Sequence, residues 1–270
     1  MPRIDSALRD VGALDALAAG DSPVHRLDPR AKLLATAACI VTVVSFPKHE
    51  FAELAPLALF PVAILAAARV PFGLIGRYLL LASPFAVMVG IFNPIFDRAV
   101  ATHWGPMAVS GGWLSFLSIL ARFVLTAGAA LALLASTGYV NVCAGLGKLG
   151  APRVLVTQFL LLYRYLFILA DEGARMVRAH ALRSRTGRPA ALRVWGSLAG
   201  HLLLRAHDRG ARLHAAMLAR GFDGSLRPLR ALSWSRADGA FLAGSLAFFA
   251  LVRFGHLAER LGRLTLEVLR

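Results

Sequence analysis

Arginine carries the chemistry in this sequence, and it comes in a repeated setting. Residues 171–184 read Asp171-Glu172-Gly173-Ala174-Arg175-Met176-Val177-Arg178-Ala179-His180-Ala181-Leu182-Arg183-Ser184. Residues 208–221 read Asp208-Arg209-Gly210-Ala211-Arg212-Leu213-His214-Ala215-Ala216-Met217-Leu218-Ala219-Arg220-Gly221. At an offset of 37 residues the pairs Asp171/Asp208, Gly173/Gly210, Ala174/Ala211, Arg175/Arg212, Ala179/Ala216 and Arg183/Arg220 recur in register. Each copy ends on an arginine followed by a very small residue, in Leu182-Arg183-Ser184 and Ala219-Arg220-Gly221. A guanidinium is always charged and presents a planar fork of donors that suits a carboxylate. At a helix end beside a small residue it can enter a narrow groove, and two related copies imply two equivalent sockets. The competing reading is a pair of basic amphipathic helices lying on anionic lipid. Asp171/Arg175 and Asp208/Arg212 stand at i, i+4 and are expected to pair on the helix surface, worth only about 0.3–0.5 kcal/mol each. They are supports for the tips.

Other candidate chemistry is weaker. His180, His201, His207 and His214 sit in the same basic block, and His207 and His214 share a helix face. No cysteine or carboxylate completes a ligand pattern around them, so solvated histidines are expected and no metal. Gly145-Leu146-Gly147-Lys148 lacks the first glycine and the Ser/Thr of a phosphate loop. No nucleophile elbow or metalloprotease motif is present, and neither catalysis nor a cofactor is expected. Cys39 and Cys143 form no framework; Cys39, in an apolar run, reads as a small hydrophobe.

The elements that must hold the arginines are apolar. Hydrophobic residues make up 57% of the 270 residues and charged ones only 17%, against roughly a quarter charged in a soluble domain. The expected fold class is all-α: a polytopic membrane helical domain carrying a cytoplasmic arm of two long amphipathic helices. Residues 1–30 read as a polar N-terminal segment without the apolar core of a signal peptide. Four spans are expected within 31–137: residues 31–47, 51–68 with Pro56 and Pro61, 74–92 with Pro84, and 113–137 with Arg122 inside. An intramembrane arginine must face protein or snorkel. Residues 93–112 read as a loop. Residues 138–236 form the arm: one helix over about 153–185, a turn at Thr186-Gly187-Arg188-Pro189, and a second over 190–219 with Leu192, Trp195, Leu198, Leu202, Leu213 and Met217 on one stripe. A last span is expected over 237–254 and an amphipathic tail over 255–270.

The formal charge of +15 is concentrated between Arg164 and Arg236. The positive-inside rule places that block, and with four preceding spans the N-terminus, in the cytoplasm. Asp28-Pro29 is a helix-start signal at the first span, with Asp28 as cap and Pro29 in the first turn.

With these residues in hand, the chain resembles the transmembrane T component of energy-coupling factor (ECF) transporters, of the CbiQ type found in cobalt and nickel uptake. The resemblance runs through Asp28-Pro29-Arg30-Ala31-Lys32-Leu33, Ala135-Ser136-Thr137, Leu149-Gly150-Ala151-Pro152, Tyr163-Arg164-Tyr165, Glu172-Gly173-Ala174-Arg175-Met176 and Ala219-Arg220-Gly221-Phe222. It implies that Leu182-Arg183-Ser184 and Ala219-Arg220-Gly221 each insert into a groove of one of two ATP-binding cassette ATPase subunits. Leu182 departs from the alanine usual in that motif. It also implies a substrate-binding membrane subunit as a further partner, with ATP hydrolysis in the ATPases and none in this chain. The transported species on this resemblance is cobalt or nickel, with a vitamin as the alternative. A reading from another class is a membrane-anchored protein that binds nucleic acid or anionic lipid through the 175–230 arginines. The lack of aromatics interleaved with them speaks against nucleic acid.

Overall fold

A computed structural model of the chain describes residues 12, 15, 17–47, 51–96, 100–104, 107–184, 192–224, 226 and 233–255. The expected turn at 186–189 and the tail from 256 lie outside the described residues. In chain order the elements are α1 (Pro23–Arg26), α2 (Pro29–Ser45), α3 (Phe51–Leu54), a 3-10 turn (Ala55–Ala58), α4 (Leu59–Ala67), α5 (Phe72–Gly90) and α6 (Phe92–Phe96). Strands β1 (Val100–Trp104) and β2 (Met107–Ser110) follow, then α7 (Gly111–Thr137), α8 (Tyr139–Lys148), α9 (Arg153–Arg183), α10 (Leu192–Ala219) and α11 (Arg236–Phe254). The all-α class holds, with one small antiparallel hairpin added.

Two compact units divide the chain. One comprises residues 14–145 and 232–270, the other 1–13 and 146–231, so the boundary falls inside α8. Among the described residues, four helices are long and apolar enough to cross a membrane: Phe72–Pro94, Gly111–Thr137, Arg153–Arg183 and Arg236–Phe254. A shorter apolar helix covers Ala55–Ala67.

Within the first unit, α2 starts as its sequence dictates. Asp28 caps it, accepting from the Arg30 N–H at 2.9 Å, and Pro29 occupies the first turn, where its missing N–H has no cost. Ala31, Ala35, Ala129, Ala132 and Ala135 are fully buried, and such small residues let helix backbones approach closely. Val43, Leu57, Phe60 and Val252 fill the core around them. Phe60 meets Phe249 edge to face, with ring centroids 5.1 Å apart. Gly145 belongs here too. A Cβ on it would stand 2.9 Å from Leu33 Cδ1, so a close helix approach explains this glycine.

Two polar layers tie the ends of these helices. At one end, Lys32 is 1% exposed and donates from Nζ to the Ser136 carbonyl at 3.0 Å, joining the start of α2 to the end of α7. The Asp28 N–H donates to Asp238 Oδ1 at 2.7 Å, joining the start of α2 to the start of α11. Asp238, 2% exposed, also closes a capping box, its Oδ2 accepting from the Ser235 N–H and hydroxyl at 2.7 Å each. The carboxylates of Asp238 and Asp28 provide the charge that Lys32 needs. At the far end of α2, Arg122 Nη2 donates to the Phe46 and Pro47 carbonyls at 2.9 and 2.8 Å. Arg122, within a helix long and apolar enough to cross a membrane, therefore faces protein. Arg253 lies over the Phe46 ring, 4.8 Å from its centroid.

Two expectations need correction. Residues 51–68 are not one helix: α3 gives way to a 3-10 turn that starts at Ala55-Pro56, where the missing proline N–H weakens the α-helical ladder, and α4 follows it. Residues 93–112 are not a bare loop. They hold α6 and the hairpin, in which Trp104 pairs with Met107 and Val100 with Ser110, with a register shift between Val100 and Thr102.

Asp238→Ala removes the acceptor of three hydrogen bonds and a charge facing Lys32. It is expected to destabilise this unit by about 3–5 kcal/mol, the range for breaking a buried pair. Asp171→Ala, at an exposed position, should leave stability unchanged. Thermal unfolding of both variants in detergent checks the contrast.

Candidate functional site: two arginine tips on a clasped helix pair

The second unit is built on α9 and α10, and each repeat occupies the C-terminal part of one of them. Both terminal arginines therefore stand at helix C-termini, where the unpaired carbonyls favour a cation. Leu182, Arg183, Ala219, Arg220 and Gly221 are exposed, and Ser184 is half-buried. Leu182 is 90% exposed, the most of any large hydrophobic among the described residues.

The two ends are closed differently, and this accounts for the different small residues. At the second tip the Gly221 N–H donates to the Leu218 carbonyl and the Phe222 N–H to the Met217 carbonyl, both at 3.0 Å. That is a Schellman closure with Arg220 as the last cap residue. It requires the left-handed backbone that Gly221 adopts, φ 76°. At the first tip the Ser184 N–H donates to the His180 carbonyl at 3.0 Å, and Ser184 itself is extended (φ −80°, ψ 112°). An extended residue tolerates a side chain, and serine stands there.

Between the tips the helices are held by one carboxylate. Glu172 is 9% exposed. Its Oε1 accepts from Arg205 Nη1 at 3.1 Å and its Oε2 from Arg209 Nη2 at 3.0 Å. Both arginines are partly solvated, so the pairs act with some screening. Gly173 leaves room for Leu202, whose Cδ2 would stand 3.5 Å from an added Cβ. Ala174 and Val177 complete the buried face of α9. Nearer the start of α9, Phe159, Leu162 and Tyr165 face Leu213, His214 and Met217 across a groove of about 580 Å³. Apolar side chains such as Val154, Leu155, Leu166, Leu203 and Leu204 remain uncovered on the same two helices.

The structure thus brings the sequence-derived tip residues onto one helix pair. It corrects the expected supports: among the described residues neither Asp171 and Arg175 nor Asp208 and Arg212 form an ion pair, and all four point to solvent. Asp28, Pro29 and Arg30 belong to the other unit, where they cap α2. The clasp was missed, although the repeat carries a signal for it. At the same offset Glu172 aligns with Arg209, opposite charges at matching positions, and these two touch.

The chain is similar to known transport proteins. The family model described as "Cobalt transport protein", CbiQ, matches residues 20–229. The energy-coupling factor transporter transmembrane protein EcfT of Limosilactobacillus fermentum is similar, 30% identical over 83% of this chain and 89% of its own. The cobalt transport protein CbiQ of Rhodobacter capsulatus is 37% identical over 35% of this chain and 39% of its own. The nickel permease LarQ of Lactiplantibacillus plantarum is 34% identical over 33% of each chain. The last two matches span 39% and 33% of those relatives.

Gly221→Ala should destabilise the second tip by about 1 kcal/mol through its left-handed backbone, whereas Ser184→Ala should stay within a few tenths. Amide hydrogen exchange over residues 213–224 and 177–184 reads the two effects separately: faster exchange is expected only in the first segment.

Proposed function

Because the chain belongs to the CbiQ family of cobalt transport proteins, we propose that it is the energy-coupling transmembrane subunit of an ECF-type importer. It is a transporter membrane component and not itself an enzyme. The observation that carries the finer reading is the pair of exposed arginine tips, Arg183 and Arg220, at the ends of two helices clasped through Glu172. Each tip fits a carboxylate-bearing groove on one of two ATPase subunits. ATP binding closes those subunits, the grooves move, and α9 and α10 follow. Their uncovered apolar faces meet a substrate-binding membrane subunit and carry the motion to it. The cargo on this reading is cobalt or nickel, in keeping with the names of two relatives; a vitamin is the alternative.

The helix contacts support the proposed orientation. The starts of α2 and α11 and the end of α7 share one polar layer, which is in keeping with an even number of crossings between the start of α2 and the end of α7. On the proposed reading the 31–137 region crosses four times, one of the even counts that this layer fits, and residues 237–254 cross once more. The arginine-rich 138–236 region and the N-terminal segment lie on the cytoplasmic side by the positive-inside rule. Helix α9 is long and apolar enough to span. On the proposed reading it belongs instead to the cytoplasmic arm, which its clasp to α10 and its arginine end support, and partner subunits cover its apolar face.

Arg183→Glu and Arg220→Glu should each reduce capture of the ATPase subunits at least tenfold when all subunits are co-expressed, because a like-charge contact costs several kcal/mol. Membrane insertion should be unchanged. Normal yields of ATPase with both variants would remove the reading.

A further inference from the structure

Thr157 sits near the start of α9 and is 6% exposed. A threonine buried in a helix ordinarily donates to its own helix, four residues back. Thr42, Thr126 and Ser245 do so here, donating to the carbonyls of Ala38, Arg122 and Phe241 at 2.7–2.8 Å. Thr157 instead donates from Oγ1 to the carbonyl of Gly224 at 3.0 Å, across 67 residues of sequence. Gly224 lies three residues beyond Gly221, the residue that closes the second tip. Two further features fix the chain between them: Gly224 is left-handed at φ 83°, and Phe222 is half-buried.

The consequence is geometric. The first tip is the far end of α9, and the second tip is tethered to its near end. Met217 and Gln158 lining one groove places the end of α10 there as well. The helix between Thr157 and Arg183 is unbroken and spans roughly 39 Å at 1.5 Å per residue. Glu172 lies about midway, where it holds the centre of α10. We infer that Thr157 is a positioning residue that pins the second arginine tip to the base of α9, making α9 the spacer that sets the distance between the two tips. Its role in docking rests on the coupling function proposed above, because two sockets on an ATPase pair can be filled together only by tips at a matching separation. The side chain contributes its hydroxyl; Thr157→Val keeps the shape and removes the tether.

The test uses the full chain in detergent, with spin labels at Leu182→Cys and Leu218→Cys, both exposed positions beside the tips. Cys39 and Cys143 are buried, and burial pushes the Cys143 thiol up, so neither takes label. A single narrow distance near 4 nm is expected, the length of the α9 spacer. Thr157→Val should broaden and displace that distribution, and Thr157→Ser should restore it. In unlabelled chains Thr157→Val should lower ATPase capture by up to about tenfold, the scale of one lost hydrogen bond, with Thr157→Ser again restoring it. An unchanged distance distribution in Thr157→Val overturns the inference, as does a failure of Thr157→Ser to restore it. Should the distance respond while Arg183→Glu and Arg220→Glu still capture ATPase normally, the spacer stands and the coupling function falls.

Discussion

One carboxylate holds the arginine-bearing helices to each other. Glu172 accepts from Arg205 and Arg209 in an otherwise apolar contact, and an unmatched carboxylate at that depth would be strongly unfavourable. The arginines cannot leave without exposing it, nor can α9 rotate without breaking bidentate geometry. Specificity of register follows from this more than stability does, because hydrophobic packing alone would let two leucine-striped helices slide past each other. The repeat adds economy to the arrangement. At one corresponding position, Glu172 against Arg209, the two copies carry opposite charge, so the repeated pattern gives both a matched pair of ends and a fastening between them.

The other unit solves a similar problem with backbone partners. Lys32 and Asp238 are among its most deeply buried side chains, and each is held by main-chain groups as well as by charge. Carbonyls and N–H groups at helix ends are left over by the helix itself. The sequence places ionic side chains where those leftover groups converge. Starts of α2 and α11 and the end of α7 are thereby fastened at a single level, which gives the bundle a firm end without a larger core.

Much of this was legible in residues 153–221, because amphipathic spacing and terminal arginines both act locally. The limits of α9 and α10 follow from Pro152, from the apolar stripe and from the Ala219-Arg220-Gly221 stop. Contacts across helices were harder to read. Glu172 with Arg209 and Thr157 with Gly224 depend on how two helices meet, and no i, i+4 rule reaches that far. The exposed pairs Asp171/Arg175 and Asp208/Arg212 did follow such a rule and failed, since a solvated ion pair gains too little to hold two long side chains in one geometry. In the 93–112 stretch, Val100, Thr102 and Trp104 carry strand preference and Gly105-Pro106 marks a turn, signals easily masked by the surrounding apolar runs. Ser235 and Asp238 form a capping pair that the same runs concealed.

The contact of Arg122 with the carbonyls of Phe46 and Pro47 also bears on how the chain is made. A ribosome delivers α2 long before α7, so the acceptors are in place when the guanidinium arrives. If α7 spans the membrane as proposed, its guanidinium need not wait in hydrocarbon for a later helix. Synthesis order and the final wiring of the bundle run in the same direction.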